Sequence, residues 1–181
     1  MSIVPADLLF KLSVKTGAAG NATAGTPAGS LGKYISTTPI TNATLNNLFD
    51  DISGDENAAS DVEYRCIFIH NAHATLTLRS AVAWLSAEVA GGASAAIAID
   101  DIAASAIEAS AAQADEIADE STAPGAGVGA FSSPTTKGTG LALGDIAAGY
   151  CRAIWIKRTA ANSAALNNDG VTIRIEGDTA A

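Results

Sequence analysis

LGDIAAGYCRAIWIKRTAAN, residues 143–162, is the stretch whose reading decides the fold. Gly144, Asp145, Ala148 and Gly149 make a turn that feeds a run with two distinct sides. Cys151, Ala153 and Trp155 alternate with Tyr150, Arg152, Ile154, Ile156 and Arg158, the two-residue period of a strand. The Trp155 side reads as core. The other side mixes Ile154 and Ile156 with Arg152 and Arg158, a pattern expected of edge capping or of contact with a neighbouring copy.

Working outward, the same period recurs. Residues 8–14, LLFKLSV, place Leu8, Phe10, Leu12 and Val14 on one side, as a half-buried strand does. Residues 63–71, EYRCIFIHN, are apolar on both sides and belong in the middle of a packed sheet. NAHATLTL reads as a turn and short strand, followed by SAVAWLS (80–86) with Val82 and Trp84 on one side and Leu85 on the other. SAAIAI (94–99), residues 140–144 and VTIRIE (171–176) complete the strands, the last launched by the turn Asn168-Asp169-Gly170. Short strands separated by turn signals predict an all-β protein, a β-sandwich of immunoglobulin-like or jelly-roll type.

Two regions lack that period. TGAAGNATAGTPAGSLGKYISTTPITNATLNN is built from small and polar residues that cannot form a core of their own, and reads as an extended N-terminal arm or long loop. Residues 1–60 are therefore expected to form an N-terminal strand and arm, and 61–181 the sandwich body. Within 42–52, a short turn or strand is expected to tuck Leu45, Leu48 and Phe49 onto a neighbour. Residues 101–120 are alanine-rich, yet Ile102, Ile107 and Ile117 sit five and ten apart and build no single helical face. A loop with a short strand or helical turn is expected there.

Composition narrows the function. The 181 residues are 48% hydrophobic but only 5% aromatic, so large core formers are confined to the strands. The net charge of −9 argues against nucleic-acid binding, which needs clustered lysine and arginine. No basic residue lies between Arg79 and Lys137, where eight carboxylates fall, from Glu88 to Glu120. That run is either a solvated acidic face or a patch that docks on a basic partner. Cys66 and Cys151 lie inside strands, as buried free thiols or as a disulfide between sheets. MSIVPADLLFKLSVK lacks the charged and apolar regions of a secretory leader, and no apolar run has the length of a membrane span, so a soluble chain with no membrane contact is expected.

No motif assembles a catalyst. His70 ends a strand and His73 lies in the next turn, without the acidic or thiol partners of a metal site. DDISGDE (50–56) places Ile52 where a calcium loop needs an oxygen, and Ser60 where it needs glutamate, so it reads as a solvated acidic turn. GAGVG (125–129) has no strand before it and no helix after it, and is a loop rather than a phosphate cradle. No GxSxG elbow occurs. Asn21-Ala22-Thr23 and Asn42-Ala43-Thr44 match the glycosylation pattern by composition alone. The expectation is a protein that is not an enzyme and holds no cofactor and no metal.

Taken in order, NNLFDD, VEYRC, GLALGDIAAG, WIKRT and VTIRIEGD resemble the phrases of a family of small virion structural proteins of tailed bacteriophages. The likeness runs from about residue 45 onward and is weakest over 87–118. It implies a structural component on the capsid exterior of the virion, assembled in the host bacterial cytoplasm. A capsid decoration or cement protein fits best, with a tail, neck or baseplate component as the rival. The partners implied are the major capsid protein and copies of the chain itself, a homo-oligomer. Candidate contact residues are Leu8, Phe10, Leu12, Tyr34, Leu48 and Phe49 of the arm and its strand, with Arg152 and Arg158. A carbohydrate-binding or adhesin module is the alternative of another class.

Overall fold

A computed structural model describes residues 2–179. The two-residue periods become nine strands: β1 (Leu8–Val14), β2 (Tyr34–Pro39), β3 (Val62–Asn71), β4 (Leu78–Glu88), β5 (Ser94–Ile99), β6 (Ser105–Ala106), β7 (Leu141–Ile146), β8 (Tyr150–Thr159) and β9 (Val171–Thr179). They form a β-sandwich of two unequal antiparallel sheets. The large sheet runs β2-β1-β3-β8-β5 with β6 also paired to β8, and the small sheet runs β7-β4-β9. One short helix, α1 (Gly54–Ala59), begins at Ser53, whose side chain accepts from the Glu56 N–H while Glu56 reaches back to the Ser53 N–H. No helix among the described residues is long and apolar enough to cross a membrane.

The strand that decided the fold lies deep in the large sheet. β8 pairs with β3 along nearly its whole length on one side, and with β5 and β6 on the other. The expectation of an edge or a contact strand is therefore corrected. Its Ile154 and Ile156 face the small sheet together with Ile67 and Ile69 of β3 and Ala83, Leu85, Leu143 and Ile146 opposite. Its other side, Cys151, Ala153 and Trp155, packs with Cys66 and Phe68 in a second core. Both sides are apolar because both are covered.

What covers the second side is irregular chain. Residues 17–33 and 100–131 lie over the outer face of the large sheet and are tied to each other. Gln113 and Ala114 N–H groups donate to the Lys33 carbonyl, Ile117 N–H to Leu31, and Lys33 N–H back to Asp115. Ile117 and Ala114 are buried in this core, and Ile107, Val128 and Phe131 pack against it. The two segments run so close that a Cβ on Gly32 (φ 96°) would lie 1.8 Å from the Asp115 carbonyl oxygen. Only glycine fits that position.

The division expected at residue 60 meets a different arrangement. β1 sits between β2 and β3, and β2 extends the same sheet. Residues 2–60 contribute two strands and part of the outer layer to the body, and Leu12 and Ile35 are buried within it. Small residues dominate 16–33 because the segment lies flush on the sheet: a Cβ on Gly25 would stand 2.9 Å from the Ser13 carbonyl oxygen.

Two cores on the two faces of one strand pair make a direct prediction. Ile67→Ala empties the inner core and Phe68→Ala the outer, and each is expected to cost about 2–5 kcal/mol in urea unfolding. A Phe68→Ala cost near zero would mean that the outer layer does not pack.

Candidate functional site

Polar groups inside the fold gather in three places. The first is the end of the inter-sheet core, where the strand period turns Glu63 and Arg65 of β3 and Arg158 of β8 inward below the isoleucines. Arg158 Nε donates to Glu63 Oε2 at 2.6 Å, and Arg158 Nη2 also reaches Asp50 Oδ1 at 3.2 Å. Arg65, 1% exposed, pairs with the Glu120 carboxylate and donates to the Tyr64 carbonyl at 3.2 Å. The Phe49 ring lies between the two guanidinium groups, 4.7 Å from Arg158 Cζ and 5.3 Å from Arg65 Cζ. Burial outweighs the attraction of Arg158 and holds the Glu63 carboxyl above its usual range. The cluster pins the 48–50 segment across the open end of the sandwich.

The second place is the outer layer. Asp100 is fully buried at the end of β5, and its two oxygens are taken by the chain. Oδ2 accepts from Trp155 Nε1 and from the Asp115 N–H, both at 2.9 Å, and Oδ1 from the Ile102 N–H at 3.0 Å. Asp100, Asp101 and Asp115 bring carboxylate oxygens within 4.8 Å of one another. Burial, then the charges of Asp100 and Asp101, raise the Asp115 carboxyl above its ordinary value. With Asp100 committed to Trp155 and two backbone amides, the group is a clasp that fixes loops. Gln113, 2% exposed, is its counterpart: its carbonyl accepts from Ile35 N–H, and its amide donates to the Ala106 carbonyl at 2.8 Å.

The third place is the outer side of β1, β3 and β8, where Lys11, His70 and Cys151 are all buried. Lys11 donates to Asn21 Oδ1 at 3.1 Å. Burial lowers the Lys11 ammonium, and burial and then Lys11 lower the His70 imidazole. Burial pushes the Cys151 thiol up to about 12, which makes it a poor nucleophile at neutral pH. His73 instead shapes the turn into β4, where its Nδ1 accepts from the Thr75 and Leu76 N–H groups.

The cysteine alternatives resolve. Cys66 stands opposite Trp155 and Cys151 opposite His70, four ladder positions apart on neighbouring strands. At about 3.3 Å per residue they cannot bridge, and both thiols are free and buried.

The candidate contact residues are scattered by the fold and engaged within the chain. Leu8, Phe10, Leu48 and Phe49 pack against the inter-sheet core, and Leu12 is 2% exposed. Leu45, expected to tuck in beside Leu48, is instead 65% exposed. Tyr34 lies half-buried on β2 with Lys33 Nζ over its ring. Arg152 donates to the Ile102 and Asp100 carbonyls at 2.7 and 2.8 Å, and Arg158 belongs to the Glu63 cluster. Asp100 and Gln113 carry the outer layer and were invisible to pattern reading; for Gln113 a single polar residue among alanines was the only signal, and Asp100 read as one more carboxylate of the acidic run.

Comparison with known proteins finds no match, whether to a family model, a curated protein or a solved structure.

The buried ion cluster is testable. Glu63→Ala removes the buried anion of Arg158, which keeps only the exposed Asp50, and is expected to cost about 3 kcal/mol in urea unfolding. A loss under about 1 kcal/mol would show that water reaches the cluster and screens it.

Proposed function

We propose that the chain is a non-enzymatic structural protein of a tailed-bacteriophage virion, a decoration or cement protein on the outer surface of the capsid. Its partners are the major capsid protein and neighbouring copies of itself. The observation that carries this reading is the ordered set of phrases resembling that family. Those phrases fall on the framework: VEYRC on β3, LALGDI on β7, WIKRT on β8 and VTIRIEGD on β9, with NNLFDD at the Phe49 clamp. The stretch least like the family, 87–118, includes β5, β6 and much of the outer layer.

The chemistry of the interior supports a role by shape. Glu63, Arg65, Arg158, Asp100 and Gln113 hold one another or the loop backbone, and the cysteines are buried and protonated at neutral pH. Such a block suits a shell, where many weak contacts add through the lattice. An adhesin reading has less support. It needs an aromatic platform, whereas Trp155 is 0% and Trp84 6% exposed, leaving Tyr150 as the aromatic most open to solvent among the described residues.

Purified chain added to empty capsids and imaged by cryo-EM tests the proposal. Density repeated over the shell faces is the expected result. Density confined to the portal or tail would favour a tail, neck or baseplate component, and no binding together with glycan capture would favour the adhesin.

A further inference from the structure

The small sheet sets three strands against six, and the longer of its two edge strands, β9, is left open. The chain occupies both outer edges of the large sheet itself. Thr37 N–H of β2 donates to the Thr23 carbonyl, and Ile97 of β5 exchanges both backbone bonds with Ser132. β9 pairs with β4 on one side and, among the described residues, meets no backbone partner on the other. The Gly170 carbonyl accepts from Val89 N–H, and the Thr172 carbonyl accepts from Ser86 Oγ, both on the β4 side. Strand alternation therefore turns the peptide groups of Ile173 and Ile175 toward the free side. A nine-residue strand with that edge open is a ready template for pairing.

Under the edge runs a groove between the sheets. Its upper part, about 410 Å³, lies between Leu8 and Phe10 on one wall and Ile175 on the other. Its lower part, about 1600 Å³, lies between Leu48 and the Val171–Ile173 stretch. That lower part exceeds the roughly 300–1,000 Å³ of a small-molecule pocket. All six of these side chains are partly buried against the inter-sheet core, so the walls are apolar and incomplete. The rim of the lower part is acidic. Asp50, Asp51, Glu88 and Asp169 line it, and its one basic side chain, Arg158, is already paired with Glu63 and Asp50.

We propose that this groove takes one extended segment of another protein chain, which adds to the small sheet as a strand beside β9. The segment is apolar at alternate positions, facing Phe10 and Leu48, and basic at the end that lies over Asp50, Asp51, Glu88 and Asp169. Backbone pairing with Ile173 and Ile175 supplies hold, the apolar positions set register, and the acidic rim selects charge. The inference is independent of which assembly the chain serves.

The test uses the intact chain and three synthetic peptides of about ten residues. The first alternates valine and isoleucine with threonine and carries lysines at the end that lies over the acidic rim. The second replaces lysine by glutamate, and the third is the lysine peptide with alternate backbone amides N-methylated on one edge. Binding is followed by titration, and amide exchange is read residue by residue along β9. The lysine peptide is expected to bind and to slow exchange at Ile173 and Ile175. The glutamate peptide is expected to bind at least about tenfold more weakly. The N-methylated peptide, which keeps the charge and side chains, is expected to give no protection. Equal binding of the lysine and glutamate peptides would overturn the proposal. So would equal binding of the N-methylated peptide, or binding without protection of Ile173 and Ile175.

Discussion

Everything in this molecule follows from one pair of strands that is apolar on both faces. β3 and β8 carry Ile67, Ile69, Ile154 and Ile156 to one side and Cys66, Phe68, Ala153 and Trp155 to the other. Each large apolar side chain among them is worth about 1.5–3 kcal/mol if removed from water, so neither face can stay open. One face is closed by a second sheet. The other is closed by two irregular segments, because a chain with so few large residues has no third sheet to give.

A cover made of loops brings its own requirement. Backbone N–H and C=O groups that leave the strand ladder must find partners when they are buried. Here the two segments bond to each other at Lys33, Asp115, Leu31 and Ile117, and to the sheet through Cys66 N–H and the Ser30 carbonyl. Where backbone alone cannot reach, side chains do: Asp100 takes the Trp155 indole and two amides, Gln113 reaches Ile35 and Ala106, and Lys15 caps the Ile117 carbonyl at 2.7 Å. Asp100, Glu63, Arg65 and Arg152 are thus paired within the architecture, chiefly with neighbouring side chains and with loop backbone. Among the described residues, the small sheet is left with an open edge at β9, and it is there that a partner strand is proposed to add.

Alternation made the strands legible. Leu8–Val14 and Ser94–Ile99 have the bounds their patterns suggest, and Val171, Ile173 and Ile175 face the core as their spacing requires. The double-sided reading of EYRCIFIHN was equally plain. What pattern could not show is which cover lies on each face. Ile107 and Ile117 have no helical or strand period because they are anchors of an irregular layer, each placed by loop geometry. The same cause hid β2 and the docking of residues 17–33: glycine, alanine and serine there reflect close approach to a sheet, and composition alone reads such a segment as a free arm. Arg152 and Arg158 looked like surface residues because a charge on a core face is rare; their partners, loop carbonyls and Glu63, come from sequence-distant segments.

The claim that the irregular layer is structural rests on its being as stable as the sheet it covers. Native-state hydrogen exchange at the Ala114 and Ile117 amides, compared with Ile67 and Ile154, reads this directly. Protection of both sets through the same global opening is the result that the double-sided strand pair demands. Rapid exchange of Ala114 and Ile117 while the strand amides stay protected would contradict it.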